Sequence, residues 1–184
     1  MALTPSNMLP LGTRAPDFQL TDAVSGRQVT LDEFSDSELL VVMFICNHCP
    51  FVVHVREEIT RVARDYSDRG VAFVAINSND VDNYPQDGPE PMKSLAQDMG
   101  WDFPFLFDAD QTTARAYDAA CTPDFYVFDA DRLLVYRGRL DASRPESDVP
   151  LTGEDLRRAL EAGLRGERVD EQQPSMGCNI KWKE

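Results

Sequence analysis

The sequence predicts an α/β protein built on a central mixed β-sheet flanked by helices, and three observations carry that expectation. LLVVMFI (39–45) is apolar throughout, as a strand covered on both faces must be, and VAFVAIN (71–77) reads as a second buried strand. Between them Phe51, Val55, Ile59, Val62 and Tyr66 recur every three to four residues, the stripe of one helix face. Further on, CTPDFYVFD (121–129) and LLVYRGRL (133–140) read as consecutive strands joined by the turn Asp129-Ala130-Asp131. Strands alternating with helices, then a hairpin and a last helix, describe a mixed sheet.

The remaining elements follow in order. The segment LGTRAPDFQLTDAVSGRQVTLDEF (11–34) reads as an extended arm and a hairpin, because DFQL and QVTL alternate apolar with polar and Ser25-Gly26 supplies the turn. The first helix is expected from Pro50 to Arg69, with Gly70 ending it. After the second buried strand comes SNDVDNYPQDGPEP (78–91), a polar, proline-bearing loop long enough to be an insertion near a functional edge. The insertion is drawn at 78–104 and includes a helix over 92–99. FPFLFD (103–108) reads as a strand and 111–119 as a short helix. Thr152-Gly153-Glu154-Asp155 has the pattern of a capping box opening a helix that runs to Leu164. Residues 166–184 form a C-terminal tail, charged at first and then an apolar, cysteine-bearing hook. With no internal repeat and no low-complexity linker, residues 1–184 are expected to form one domain.

Composition removes several classes of function. The net charge is −14, from 32 acidic and 18 basic residues. Such a surface repels phosphate backbones and anionic lipid, so neither nucleic acid nor a membrane is an expected partner. The longest apolar run, Leu39 to Cys46, is too short to span a bilayer. MALTPSNMLPLGTRAPDF has no basic stretch followed by an apolar one, so no signal peptide is expected and a cytoplasmic setting follows. In that compartment a C-x-x-C is more often catalytic or metal-binding than structural.

The chemistry concentrates in FICNHCPFVVHV (44–55). Cys46 ends a buried strand and sits at the entry to the helix, where unpaired N–H groups and the helix dipole stabilise a thiolate, and Cys49 lies one turn further in. The expected asymmetry is an exposed Cys46 of low pKa that attacks and a more buried Cys49 that resolves. His48 adds positive charge near Cys46 and lowers its pKa further, which favours oxidising behaviour. The same cysteines could instead form half of a zinc site, with Cys121 and Cys178 completing four ligands. Those two are isolated from each other, and strand–C-x-x-C–helix is the redox context. His54 falls off the apolar helix face and reads as a solvated partner of Glu58.

These residues resemble the thioredoxin fold, and more closely the thioredoxin-like proteins grouped with the AhpC/TSA peroxiredoxins. LGTRAPDFQLTD with VTLDEF resembles the N-terminal extension of that group, and FICNHCP occupies the active-site turn. Thr122-Pro123 occupies the place of the fold's cis-proline, which in the family faces the C-x-x-C and helps present the substrate backbone. The tail PSMGCNIKWK is similar to that of a small bacterial thioredoxin-like subgroup, and a His before the second cysteine is similar to oxidising members. Two departures matter. The peroxiredoxin pattern P-x-x-x-T/S-x-x-C is missing: Met43 and Leu39 precede Cys46 at those spacings, and Cys46 and Val42 precede Cys49. Thioredoxins carry Trp before the first cysteine and a buried acid on the preceding strand, where this chain has Ile45 and Leu40. Asp124 could stand in for that acid, although it reads as a strand-end surface residue.

The resemblance implies a thiol–disulfide oxidoreductase with a single thioredoxin-like domain and no cofactor. Cys46 is its nucleophile, Cys49 its resolving thiol, His48 a pKa-tuning group, and Thr122 and Pro123 line the substrate groove. Cys121 and Cys178 are candidate accessory redox thiols. The alternatives are a thiol-dependent peroxidase that oxidises Cys46 to a sulfenic acid, and a metal-binding module. Expected partners are protein or small-molecule disulfides and thiols, with a thioredoxin or glutathione system as external electron donor.

Overall fold

The computed structural model of the chain describes residues 3–184. Ten strands and four α-helices follow one another in the order β1 (Leu3–Pro5), β2 (Gln19–Asp22), β3 (Gln28–Thr30), β4 (Leu39–Phe44), α1 (Pro50–Ser67), β5 (Val71–Asn77), α2 (Pro89–Met99), β6 (Phe105–Phe107), α3 (Thr112–Ala116), β7 (Cys121–Thr122), β8 (Asp124–Phe128), β9 (Leu134–Gly138), α4 (Glu154–Leu164) and β10 (Met176–Asn179). Seven strands make the central sheet in the order β3-β2-β6-β5-β4-β8-β9. The β4–β5 and β5–β6 pairs are parallel and the others antiparallel, so the sheet is mixed, as expected.

The unbroken apolar run of β4 has a simple cause. Leu39, Val41, Met43 and Ile45 point to one face, against Val52, Ile59 and Val62 of α1, Met92 of α2 and Leu160 of α4. Leu40, Val42 and Phe44 point to the other, against Phe18, Ala114, Tyr117 and Tyr126. With period-2 alternation, a strand covered on both faces has no position for a polar side chain. Leu40 is therefore core, and the acid that thioredoxins carry on this strand has no counterpart there. α1 starts at Pro50, where a missing N–H costs nothing, and Gly70 takes the left-handed φ of +80° that turns the chain into β5.

Three elements differ from the sequence expectation. CTPDFYVFD is not one strand, because Pro123 has no N–H to continue a ladder. The Thr122–Pro123 peptide is cis; β8 beyond it joins β4, while β7 before it joins a separate small sheet. That sheet, ordered β1-β10-β7, takes up the tail: the hook at 176–179 is a strand lying between β1 and β7. Thr152 does not cap α4. The cap position falls on Gly153 at φ +68°, and the Asp141 carboxylate accepts the N–H groups of both Thr152 (2.8 Å) and Gly153 (2.6 Å).

The β10–β7 contact is close enough to test directly. A Cβ on Gly177 would fall on the Thr122 carbonyl and meet the Pro123 ring. Gly177→Ala is expected to cost about 1–3 kcal/mol, the usual range for overpacking, read as a lower urea midpoint at unchanged slope.

Candidate active site

The strand register alone brings the parts of the site together. In the β4–β8 ladder Phe44 stands opposite Asp124. Carrying that register two residues further puts Cys46 opposite Thr122, at the sheet end where β4 stops. The Cys46 Sγ lies 3.5 Å from the Thr122 Oγ1. Cys49 caps α1 in an extended conformation, and its thiol points at the Thr122 carbonyl, 3.3 Å away. On the other side of Thr122, Cys178 is its direct ladder partner. One residue thus faces three of the four cysteines, and no disulfide is formed between them.

Both cysteines of the C-x-x-C are buried, Cys46 to 1% and Cys49 to 0% exposure, so the expected exposed Cys46 is not observed. The protonation asymmetry is also the reverse of expectation. Cys46 donates to Cys49, which pushes the Cys46 pKa well up; burial and the Asp87 carboxylate add to that, and the Thr122 hydroxyl opposes it. Cys49 is drawn down to about 4, first by the Cys46 thiol, then by the Cys178 thiol and the N–H groups of Val52 and Cys178, against burial. The pair shares one proton, carried by Cys46, with the negative charge held at the helix N-terminus. Burial, then donation to Cys49, pushes Cys178 up to about 12. Cys121 sits fully buried with its thiol 3.9 Å from the Pro123 carbonyl, and burial raises its pKa strongly.

The His48 ring is engaged by Asp87. Its Nδ1 stands 2.5 Å from Asp87 Oδ2, and its ring stacks on Tyr84 with centroids 5.4 Å apart. Asp87 is the residue that sequence reasoning missed. Its Oδ1 accepts the backbone N–H of Asn47 (2.8 Å) and of His48 (3.1 Å), clamping the middle of the C-x-x-C turn. Asn79 donates to Oδ2 (2.9 Å), and Asn77 to the Asp87 carbonyl (2.6 Å). The only signal in the sequence was the polar loop 78–91 itself, and nothing marked Asp87 among its three Asp residues. Cys46, His48 and Asp87 offer ligand atoms all within 4.8 Å of one another, the one such group among the described residues.

Two further readings change. His54 is not paired with Glu58. Its Nε2 lies 2.8 Å from Ser143 Oγ, while Glu58, itself buried, binds Arg61 (2.5 Å) and Arg157 (2.9 Å). Asp124 is not at the surface but fully buried, paired with an equally buried Arg137 at 3.0 Å. Burial pushes its pKa to about 7, opposed by the Arg137 guanidinium. The pair lies directly behind Pro123, so the buried acid sits on β8 rather than β4.

The Cys49 shift makes stability depend on pH. Folded and reduced, Cys49 ionises above about pH 4; unfolded, it does so only near 9. Between these values the unfolded state binds the extra proton, so stability should rise with pH, by at most ~1.4 kcal/mol per unit. The contribution disappears as pH falls through the folded value. Urea unfolding of the reduced protein across this window should show the slope, and Cys49→Ser should lack it. Thiolate ultraviolet absorbance should titrate at markedly higher pH in Cys46→Ala, which loses the largest stabilising donor.

A family model described as Redoxin matches residues 10–155. Two solved structures share the whole architecture. An uncharacterized conserved protein from Geobacillus kaustophilus is 54% identical, covers 100% of this chain and 97% of its own, and superposes at TM-score 0.97. A hypothetical protein from Sinorhizobium meliloti 1021 is 50% identical, covers 98% of each chain, and superposes at 0.96. A thiol:disulfide interchange protein of the thioredoxin family from Chlorobium tepidum TLS is similar in fold at 18% identity, with 85% of this chain and 99% of its own covered and a TM-score of 0.64. No curated protein matches the sequence.

Proposed function

The chain belongs to the Redoxin family and has its thioredoxin-like redox character, and from that premise we propose that it is a thiol–disulfide oxidoreductase working through Cys46 and Cys49. The observation that supports this most directly is the seating of both sulfurs on one residue, Cys46 Sγ 3.5 Å from the Thr122 Oγ1 and Cys49 Sγ 3.3 Å from the Thr122 carbonyl. Cys46, beside the half-buried Asn47 and His48, is the sulfur that meets the substrate. Cys49 takes the Cys46 proton as Cys46 attacks one sulfur of an external disulfide. A mixed disulfide forms and one substrate thiolate leaves, accepting the proton back from Cys49. Cys49 then attacks the Cys46 sulfur, and the second substrate thiolate leaves. The pair ends as a Cys46–Cys49 disulfide, the substrate as two thiols, one still ionised.

Around this exchange the other residues hold rather than react. Asp87 fixes the turn and keeps a negative charge near Cys46, which holds the proton there until Cys49 removes it. Thr122 and Pro123 are the floor of the substrate groove. An external thioredoxin or glutathione donor and a cytoplasmic setting belong to the same proposal.

Equilibration in glutathione redox buffers, with alkylation and disulfide mapping, tests it. A Cys46–Cys49 bond titrating between about −270 and −120 mV is expected, the span of working oxidoreductases. No mixed disulfide should form at position 46 in Cys46→Ser, and Cys49→Ser should stall as a mixed disulfide on Cys46. No Cys46–Cys49 bond at any poise would sink the reading.

A second reading rests on the Cys46–His48–Asp87 donor set, which suits a divalent ion such as zinc. Such an ion would have to replace the short His48–Asp87 hydrogen bond. One equivalent of zinc in protein purified without added metal, lost in Asp87→Asn, would favour it.

A further inference from the structure

The reduced pair lies beneath part of the chain itself. β10 runs antiparallel to β7 with Cys178 opposite Thr122 and Asn179 opposite Cys121. Its approach is so close that only glycine fits at 177, against the Thr122 carbonyl and the Pro123 ring. The strand lies extended along the residue that seats both thiols, with a sulfur at the register position facing them. The Cys178 thiol and N–H both donate to Cys49. Cys121, on the same ladder, turns its sulfur to the Pro123 carbonyl instead.

The far end of β10 is tied to the clamp over the C-x-x-C. Asn79, which donates to Asp87, accepts the N–H of Lys181 at 2.9 Å. The Lys181 carbonyl in turn accepts from Asp80 N (2.8 Å) and Gln111 Nε2 (2.7 Å). The near end leads from α4 through a mostly exposed stretch, 165–174, without helix or strand. β10 is thus pinned on both sides of its sulfur, because before it the Gln173 carbonyl accepts the Arg139 N–H (2.9 Å) and the Ser175 hydroxyl donates to the Gly138 carbonyl (3.0 Å).

We propose that Cys178 is a third redox thiol, an intramolecular exchange partner of Cys49 carried on a strand that occupies the substrate groove. The assignment rests on the Cys46–Cys49 exchange described above and extends it. Starting from the oxidised pair, the Cys178 sulfur attacks Cys49. The Cys46–Cys49 bond breaks, a Cys49–Cys178 bond forms, and Cys46 leaves as a thiolate that takes the proton given up by Cys178. No net oxidation occurs. The step returns a reduced Cys46 to the turn while the disulfide moves to the tail, where an external dithiol of the donor class reduces it. Reduction yields the Cys49 and Cys178 thiols and one donor disulfide.

Reduced Cys46→Ser protein, treated with oxidised glutathione, alkylated and peptide-mapped, tests this. Without Cys46, Cys49 first forms a mixed disulfide with glutathione. Cys178 then attacks Cys49 and releases the glutathione thiol, so two cysteine thiols and one glutathione disulfide become one internal disulfide and two glutathiones. The internal Cys49–Cys178 bond should exceed the glutathione adduct by about tenfold or more, since tethered groups reach mM effective concentrations. Cys121→Ala in the same background should leave that bond in place. A stable Cys49–glutathione adduct with Cys178 alkylated would overturn the proposal. Wild-type protein treated in parallel separates the two claims. If it forms the Cys46–Cys49 bond while the variant forms no Cys49–Cys178 bond, the relay alone fails. If it forms neither bond, the underlying exchange reading fails with it.

Discussion

Both sulfurs of the C-x-x-C are held by one residue, Thr122, and the site is organised around that contact. Its hydroxyl lies 3.5 Å from the Cys46 sulfur and its carbonyl 3.3 Å from the Cys49 sulfur. The carbonyl is available because Pro123 breaks the strand: β8 beyond it continues the central sheet, and β7 before it turns to the small one. Without that break the Thr122 backbone would be spent on a continuous ladder. With it, the end of the sheet becomes a ledge on which the C-x-x-C turn sits and against which β10 lies.

The electrostatics of the ledge come from a carboxylate, in a protein with almost twice as many acids as bases. Asp87 reaches the turn from the inserted loop and satisfies two backbone N–H groups that the turn would otherwise leave buried without partners. The same carboxylate, facing Cys46, disfavours a thiolate there. Charge therefore collects on Cys49, where helix N–H groups and two neighbouring thiols receive it. A clamp that is needed for geometry thus also decides which sulfur keeps the proton. Behind the ledge, the buried Asp124–Arg137 pair leaves Asp124 Oδ1 and the Arg137 Nε and Nη1 without hydrogen-bond partners among the described residues. Stacking of the guanidinium on Tyr126, 4.4 Å from the ring centroid, offsets part of that cost.

The central sheet was legible in the sequence because its causes are local. Doubly covered strands demand unbroken apolar runs, and 39–45 and 71–76 supply them; one helix face demands a repeat of three to four residues, and 50–69 supplies it. The C-x-x-C, its place between strand and helix, and Thr122-Pro123 were legible for the same reason: each is a short pattern whose chemistry needs those residue types at that spacing. Cys46, Cys49, Thr122 and Pro123 could all be named before their distances were known.

What tertiary structure decided depends on residues far apart in the chain. Asp87 lies about forty positions from the turn it clamps, and Cys178 more than a hundred from Cys49; the separation in sequence carries no periodic trace. The sequence placed positive charge near Cys46 because His48 is its neighbour. The fold turned that imidazole to Asp87 and brought the carboxylate's field to the sulfur instead. Local pattern determined which groups could react, because bonding and spacing are properties of a segment. Long-range packing decided their protonation and burial, because a pKa in a buried site is set by whatever charges and donors the rest of the chain brings within a few ångströms.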